Sequence, residues 1–313
     1  FLAYSPQFAT SHMNFMARIT DALVDAGHEV VMLAPIVDST VKGPGTTKAR
    51  VITLPQSEKC DVIERHMNEV LVEQVWTYES AAELFKDWGL MMESWQARCN
   101  ATVRFHGLID QLRVEKFDVA FGEILDFCMP GIFHMAGIEK WAITDSMAIN
   151  DGHFFYTHTP TNPAYIPGLM SAEGGESMTF MQRLKNLFMI QLSVLGRLQF
   201  GHLYDDVFRA IDPNFPDIEE LAAQNSLVFM NSEPLVDFPR PTSARMIDIG
   251  GIAVSNAPNP LNKTWSDILD IRPKNVVISF GSFAKAHLMP DNYKRTLIET
   301  VKKFPNVTFI WKY

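Results

Sequence analysis

The chain is short of cysteine, of clustered basic residues and of long apolar runs, and each lack removes a class of function. Its three cysteines (Cys60, Cys99, Cys128) form no CxxC pair and follow no metal-ligand spacing. Neither a zinc site nor a disulfide framework is therefore expected, and Cys128, inside an apolar run, reads as a core residue. A formal charge of −9 without any Lys/Arg run argues against a nucleic-acid partner. The most apolar stretch, residues 180–204, is interrupted by Arg183, Lys185 and Arg197. Its longest uncharged run, residues 186–196, is far below the ~20 residues that a bilayer span needs. Glycine is missing where a dinucleotide fingerprint would need it. Residues 5–11 (Ser-Pro-Gln-Phe-Ala-Thr-Ser) contain none, which removes a nicotinamide-dependent oxidoreductase. Gly43 and Gly45 match neither that fingerprint nor a P-loop and read as a plain loop. The chain opens on strand residues without a leader peptide and stops on a strand, residues 309–313, so a fragment of a longer protein is expected.

What is present fits an α/β protein. With 313 residues, 47% of them apolar and 20% charged, the chain is long enough for two domains. Residues 1–4 read as a strand, residues 12–26 as a helix with Phe15, Ile19, Ala22, Leu23 and Ala26 on one face, and residues 29–33 and 50–54 as strands. Residues 61–115 are helical by period and composition, and residues 117–122 form the fourth strand. A helix over 129–136, a strand over 140–144, a loop-like region over 150–175 and helices over 178–210 follow. Strands over 226–231 and 246–250 complete the first part. Strands alternating with helices predict a doubly wound parallel sheet. The domain expected over 1–255 is followed by a Pro- and Asn-rich linker over 256–273. A fresh βαβ unit over 274–313 then has strands at 275–280 and 307–312 around a helix at 290–303. The helices over 180–203 either rest on a membrane surface or pack as a buried pair.

The chemistry-bearing residues come together through topology. In such a sheet the first and fourth strands commonly lie side by side, and the crevice between their carboxyl ends is the switch point where ligands bind. His12 opens the helix after the first strand, and Glu123 and Asp126 follow the fourth. An imidazole beside a carboxylate is a base with an orienting partner, and either acid fills that role. In the second unit, Gly281-Ser282 after the strand offers backbone amides and a hydroxyl to phosphate oxygens, although an ordinary βα turn has the same sequence. Three sequons, at Asn100, Asn262 and Asn306, permit N-glycosylation in a secretory compartment. Asn306 falls on an expected buried strand, which argues against its modification.

Four segments in order carry a family resemblance: the strand–loop–Ser11-His12 start, residues 25–35 (DAGHEVVMLAP), residues 117–121 (FDVAF) and residues 276–282 (VVISFGS). Over essentially the whole chain the sequence resembles UDP-glycosyltransferases of the UDP-glucuronosyltransferase family, in wording close to its nematode branch. The resemblance implies the GT-B type: an amino-terminal Rossmann-like acceptor domain, then the start of a Rossmann-like donor domain. It implies inverting transfer of glucuronate or glucose from a UDP-sugar to the hydroxyl of a small lipophilic acceptor, without metal or bound cofactor. His12 becomes the general base, Glu123 or Asp126 its acidic partner, and Ser282 with Gly281 and Lys312 the donor diphosphate contacts. Lys312 stands where vertebrate members tend to carry arginine, so a point charge replaces a fork. Phe8, Phe127 and the loop over 150–165 are candidates for the acceptor site, with core packing as the competing reading. A detoxifying glycoprotein on the lumenal side of the endoplasmic reticulum, anchored by a carboxyl-terminal segment outside this chain, is what the family implies. So is inactivity of the 313-residue chain alone. The alternative is a homologue that binds lipophilic ligands and has lost the chemistry; homo-oligomerisation stays open.

Overall fold

The computed structural model describes residues 1–65, 75–77, 81–147, 156, 159–168, 175, 177–225, 227–254, 259–281 and 284–313. They fall into two compact units, residues 1–61 with 92–254 and residues 62–91 with 255–313. Residues 62–91, expected in the amino-terminal domain, cluster with the second unit. There Trp76 stands edge-on to Phe280 at 5.1 Å and donates its indole N–H to the Lys285 carbonyl at 3.0 Å.

The first unit is built on a seven-stranded sheet in which every pairing is parallel. Its strands are β1 Leu2–Tyr4, β2 Val31–Pro35, β3 Arg50–Leu54, β4 Ala120–Glu123, β5 Trp141–Asp145, β6 Leu227–Met230 and β7 Met246–Asp248. The spatial order β3-β2-β1-β4-β5-β6-β7 places the fourth strand beside the first, and the winding reverses between them. Helices α1 Thr10–Asp25, α2 Ala81–Val103 (of which residues 92–103 belong to this unit), α3 Leu108–Glu115, α4 Cys128–Met135, α5 Phe180–Arg209 and α6 Ile218–Ala223 accompany it. On one face Phe15, Met16 and Ile19 of α1 bury against Ala3, Met32, Ala34, Phe121 and Ala142. Ala22 and Ala26, expected on that face, are exposed instead; Ala26 lies beyond α1, which stops at Asp25 before Gly27 takes a left-handed φ of +90°.

Several expectations need correction. The helical run over 61–115 is broken at Gly107, whose φ of +73° leaves the helical region and separates α2 from α3. Its residues 66–74 and 78–80, like Ser226 of the expected sixth strand, lie outside the described residues. The helices expected over 178–210 are one 30-residue helix, started by a capping box of Thr179 and Gln182. The linker contains α7 Lys263–Leu269, capped by the Asn262 side chain, which accepts from the Trp265 amide at 3.1 Å. Asn306 is exposed in the turn before the last strand, not buried within it.

The cysteines also depart from expectation. Cys99 of α2 and Cys128 of α4 form a disulfide across 29 residues of sequence, leaving Cys60 as the free, buried thiol. Spacing along the chain does not show this, because only the packing of α2 beside α4 brings the two cysteines together. Replacing both partners by serine is expected to lower unfolding stability by about 2–4 kcal/mol. Urea unfolding of the two forms checks it, and coincident midpoints would leave the bond without a stabilising role.

The second unit pairs β8 Lys274–Ile278 with β9 Val307–Trp311 in parallel, from Lys274 opposite Val307 to Ile278 opposite Trp311. Helix α8 Asp291–Lys302 makes the crossover. The expected βαβ unit is therefore present, with β8 ending two residues earlier than the sequence pattern suggested.

Candidate active site

The pleat of β4 decides which acid faces which helix. Alternate residues of a strand point to opposite sides, so Phe121 and Glu123 share the face covered by α1, while Gly122 faces α4. Both neighbours agree with this. Phe121 lies in the cluster with Phe15 and Met16, and a Cβ at Gly122 would stand 2.6 Å from the Met129 sulfur of α4. His12, in the first turn of α1, therefore meets Glu123. Its Nδ1 is 2.7 Å from Glu123 Oε1, with the His12 side chain 16% exposed and that of Glu123 4%. An imidazole with a trace of solvent access over a sealed carboxylate can exchange a proton at Nε2 while Nδ1 is held.

Asp126, the alternative partner, is on the other side. Ala3 belongs to the α1 face, so Tyr4 points away from it, and the Tyr4 hydroxyl donates to Asp126 Oδ2 at 2.7 Å. Asp126 also accepts the Cys128 amide at 2.9 Å. Burial pushes its carboxyl pKa up, against the hydrogen bonds from Tyr4 and Cys128 and the nearby Arg98 guanidinium. Arg98 is itself 1% exposed and donates to the carbonyls of Ile36 and Pro55 at 3.1 and 2.7 Å. Asp126 therefore belongs to a buried network under the strand ends, and the structure gives His12 to Glu123.

A third residue joins the pair that the sequence pattern did not single out. Ser146 follows β5, which is the neighbour of β4, with Glu123 opposite Thr144. Thr144 faces α1, where its hydroxyl reaches the Met16 sulfur, and two residues on Ser146 faces the same way. Its amide donates to Glu123 Oε1 at 3.2 Å, its hydroxyl donates to the same oxygen, and that hydroxyl is 2.7 Å from His12 Nδ1. The only signal in the sequence was its place just after the fifth strand, at the same sheet edge.

The aromatic candidates separate. Phe8 lies against the His12 ring at 4.7 Å between centroids and against Trp95 at 5.0 Å, forming one wall of the histidine's surroundings. Phe127 is buried between Tyr156 and Tyr204, at 6.0 and 5.9 Å, as a core residue is. The loop over 150–165 is described only at residue 156 and from residue 159 onward.

In the second unit, Gly281 has a φ of +81°, which favours glycine at the turn after β8. Lys312 Nζ donates to the Gly281 carbonyl at 3.1 Å, so the two candidates meet at one strand end. Ser282 lies outside the described residues. Among the described residues no group of three or more His, Cys, Asp or Glu side chains is arranged to hold a metal ion.

The parallel sheet with its reversal at β1 and β4 agrees with the comparisons with known proteins. Residues 4–313 match the family model described as UDP-glucoronosyl and UDP-glucosyl transferase. The chain belongs to this family. A Caenorhabditis elegans relative bearing the UDP-glucuronosyltransferase name ugt-48 is 27% identical over 99% of this chain. The rat UDP-glucuronosyltransferase 2B17 is 22% identical over 97% of it. The chain spans 59% of the first relative's length and 58% of the second's. Among solved structures, Os79 from O. sativa in complex with UDP superimposes with a TM-score of 0.53 at 12% identity, covering 99% of this chain and 66% of Os79. The glycotransferase of kitacinnamycin gives 0.52 at 13% identity, over 99% of this chain and 65% of that one. These likenesses show the fold, which is of the GT-B type.

Proposed function

We propose that the chain is the acceptor domain and the first part of the donor domain of an inverting UDP-glycosyltransferase. The observation that carries this reading is the 2.7 Å contact between His12 Nδ1 and Glu123 Oε1 at the switch point of a sheet in this family. With Nδ1 engaged by the acid, Nε2 takes the proton of the acceptor hydroxyl. The acceptor oxygen then forms a bond to the anomeric carbon as the bond from that carbon to the UDP oxygen breaks. UDP departs with the electron pair, and the imidazolium is stabilised by Glu123. Backbone amides at Gly281, with Ser282 and Lys312, offset charge on the leaving diphosphate. Phe8 beside the His12 ring suits a lipophilic acceptor. A location in the lumen of the endoplasmic reticulum is supported by the Cys99–Cys128 disulfide, a bond that persists in oxidising compartments.

The test is transfer of labelled sugar from UDP-glucuronate and UDP-glucose by the full-length protein, against a panel of phenols and sterols. Transfer from one donor is expected. Tight acceptor binding with no transfer from either would favour the ligand-binding homologue.

Ser146 acts in this scheme as a positioning residue. Its replacement by alanine is expected to lower kcat about 10- to 100-fold, the effect of one lost hydrogen bond to a charged group. Acceptor KM stays unchanged, and threonine restores most of the rate. A change confined to KM would place Ser146 on the acceptor rather than on the dyad.

A further inference from the structure

The ladder between β5 and β6 ends where the chain turns to aim Ser146. Met230, the last residue of β6, pairs with Asp145, and the Asn231 amide adds one more bond, to the Asp145 carbonyl at 2.9 Å. Beyond that bond two side chains take over from the backbone. Asp145 Oδ1 accepts the Met147 amide at 3.1 Å, and Asn231 Nδ2 donates to the Ser146 carbonyl at 2.9 Å. A carbonyl only accepts, so it is the nitrogen of the Asn231 carboxamide that faces Ser146. An exposed asparagine after a strand ordinarily leaves its carboxamide to water. Here it is turned back against β5, 85 residues earlier in the chain.

Ser146 is therefore held through both peptide units that flank it. The unit before it has its carbonyl on the Asn231 amide, at 2.9 Å, and its N–H on Glu123 Oε1, at 3.2 Å. The unit after it has its carbonyl on Asn231 Nδ2 and its N–H on Asp145 Oδ1. With both planes fixed, φ and ψ of Ser146 are fixed, and with them the direction of its Cα–Cβ bond. That direction brings the hydroxyl to Glu123 Oε1 and to 2.7 Å from His12 Nδ1. Asn231 supplies two of the four bonds, although its own bonds reach only residues 145 and 146. The main-chain bond survives any substitution there; the carboxamide bond does not.

We infer that Asn231 is a positioning residue for the transfer step, acting through Ser146 on Glu123 and His12. Its kinetic consequence rests on the transferase reading of that pair, and its structural consequence on the geometry alone.

Steady-state transfer by the full-length protein and a crystal structure of the variant test it together. Asn231→Ala is expected to lower kcat about 3- to 10-fold, the effect of one neutral hydrogen bond, with acceptor KM and thermal midpoint unchanged. Asn231→Asp keeps the shape, loses the donor and lowers kcat at least as far. In a Ser146→Ala background, Asn231→Ala costs less than about twofold, because the group that it aims is already gone. The crystal structure of Asn231→Ala is expected to show the Ser146 hydroxyl turned away from Glu123. Ser146 kept at hydrogen-bond distance from Glu123 overturns the inference, whether or not transfer is observed. So does a wild-type rate in Asn231→Ala, or an equal loss from it with and without Ser146, while His12→Ala is slow. A wild-type rate in His12→Ala would instead remove the transferase reading, and the Ser146 geometry in the variant would still decide this inference.

Discussion

His12→Ala in the full-length protein lowers turnover by about 10²–10⁴, the span expected when a general base is lost. The loss falls on kcat, because the proton it removes leaves the acceptor only as the new bond forms. Binding of UDP, followed by calorimetry, stays within experimental error, which separates a lost base from a damaged fold. Glu123→Ala acts through the same ring. With the 2.7 Å contact gone, neither the orientation of His12 nor the charge on its protonated form is supported. The effects of the two substitutions are therefore non-additive, the double variant being little worse than His12→Ala alone. Turnover unchanged in His12→Ala would remove the base from this residue and with it the proposed mechanism.

Glu219→Ala is expected to destabilise the first unit by about 3–5 kcal/mol, the cost of leaving a buried charge without its partner. Arg197 of α5 and Glu219 of α6 are 7% and 8% exposed, with Arg197 Nη1 2.5 Å from Glu219 Oε2, and the Tyr156 hydroxyl donates to that oxygen at 2.9 Å. Burial pushes the Glu219 carboxyl pKa up, and the Arg197 guanidinium pulls against that shift. The site is closely fitted as well: a Cβ at Gly201 would stand 2.7 Å from Glu219 Oε1, so the Glu219 side chain occupies space that a larger residue there would take. Removing both charges with Arg197→Met and Glu219→Leu is expected to recover most of the lost stability, since no uncompensated ion remains. Urea denaturation of the wild type and the two variants measures the difference. A single substitution costing less than about 1 kcal/mol would mean that water reaches the pair.

Arg197 illustrates a limit of reading along the chain. In sequence it is a charge that interrupts an apolar stretch, and so an argument against a membrane span. In the structure it faces inward to Glu219, and the apolar residues around it face outward. Periodicity shows which residues share a helix face but not which face the sheet takes, because the partner 22 residues away in sequence is what draws Arg197 inward. The disulfide was hidden for the same reason: Cys99 and Cys128 become neighbours only through the packing of α2 beside α4.

The site was more legible. That a histidine after the first strand and an acid after the fourth would meet follows from alternating strands and helices and the side-by-side placement of those strands. The strand residues themselves carry that pattern, in Leu2-Ala3-Tyr4 and Ala120-Phe121-Gly122. Which of two acids would serve did not follow, since Glu123 and Asp126 are three residues apart and both lie after the strand that the sequence pattern marks at 117–122. Ser146 does not stand out in the sequence, because its place beside Glu123 depends on β5 lying next to β4.

By itself, then, the sequence determined the alternation of elements, the βαβ character of both units and the family, all of which are written in local patterns and short contiguous motifs. Tertiary structure alone decided the acid behind His12, the serine beside it, the covalent tie between α2 and α4 and the outward turn of apolar side chains on α5. The physical reason is common to all four. Each depends on which side of a strand or helix faces a distant neighbour, and that side is chosen when the layers pack.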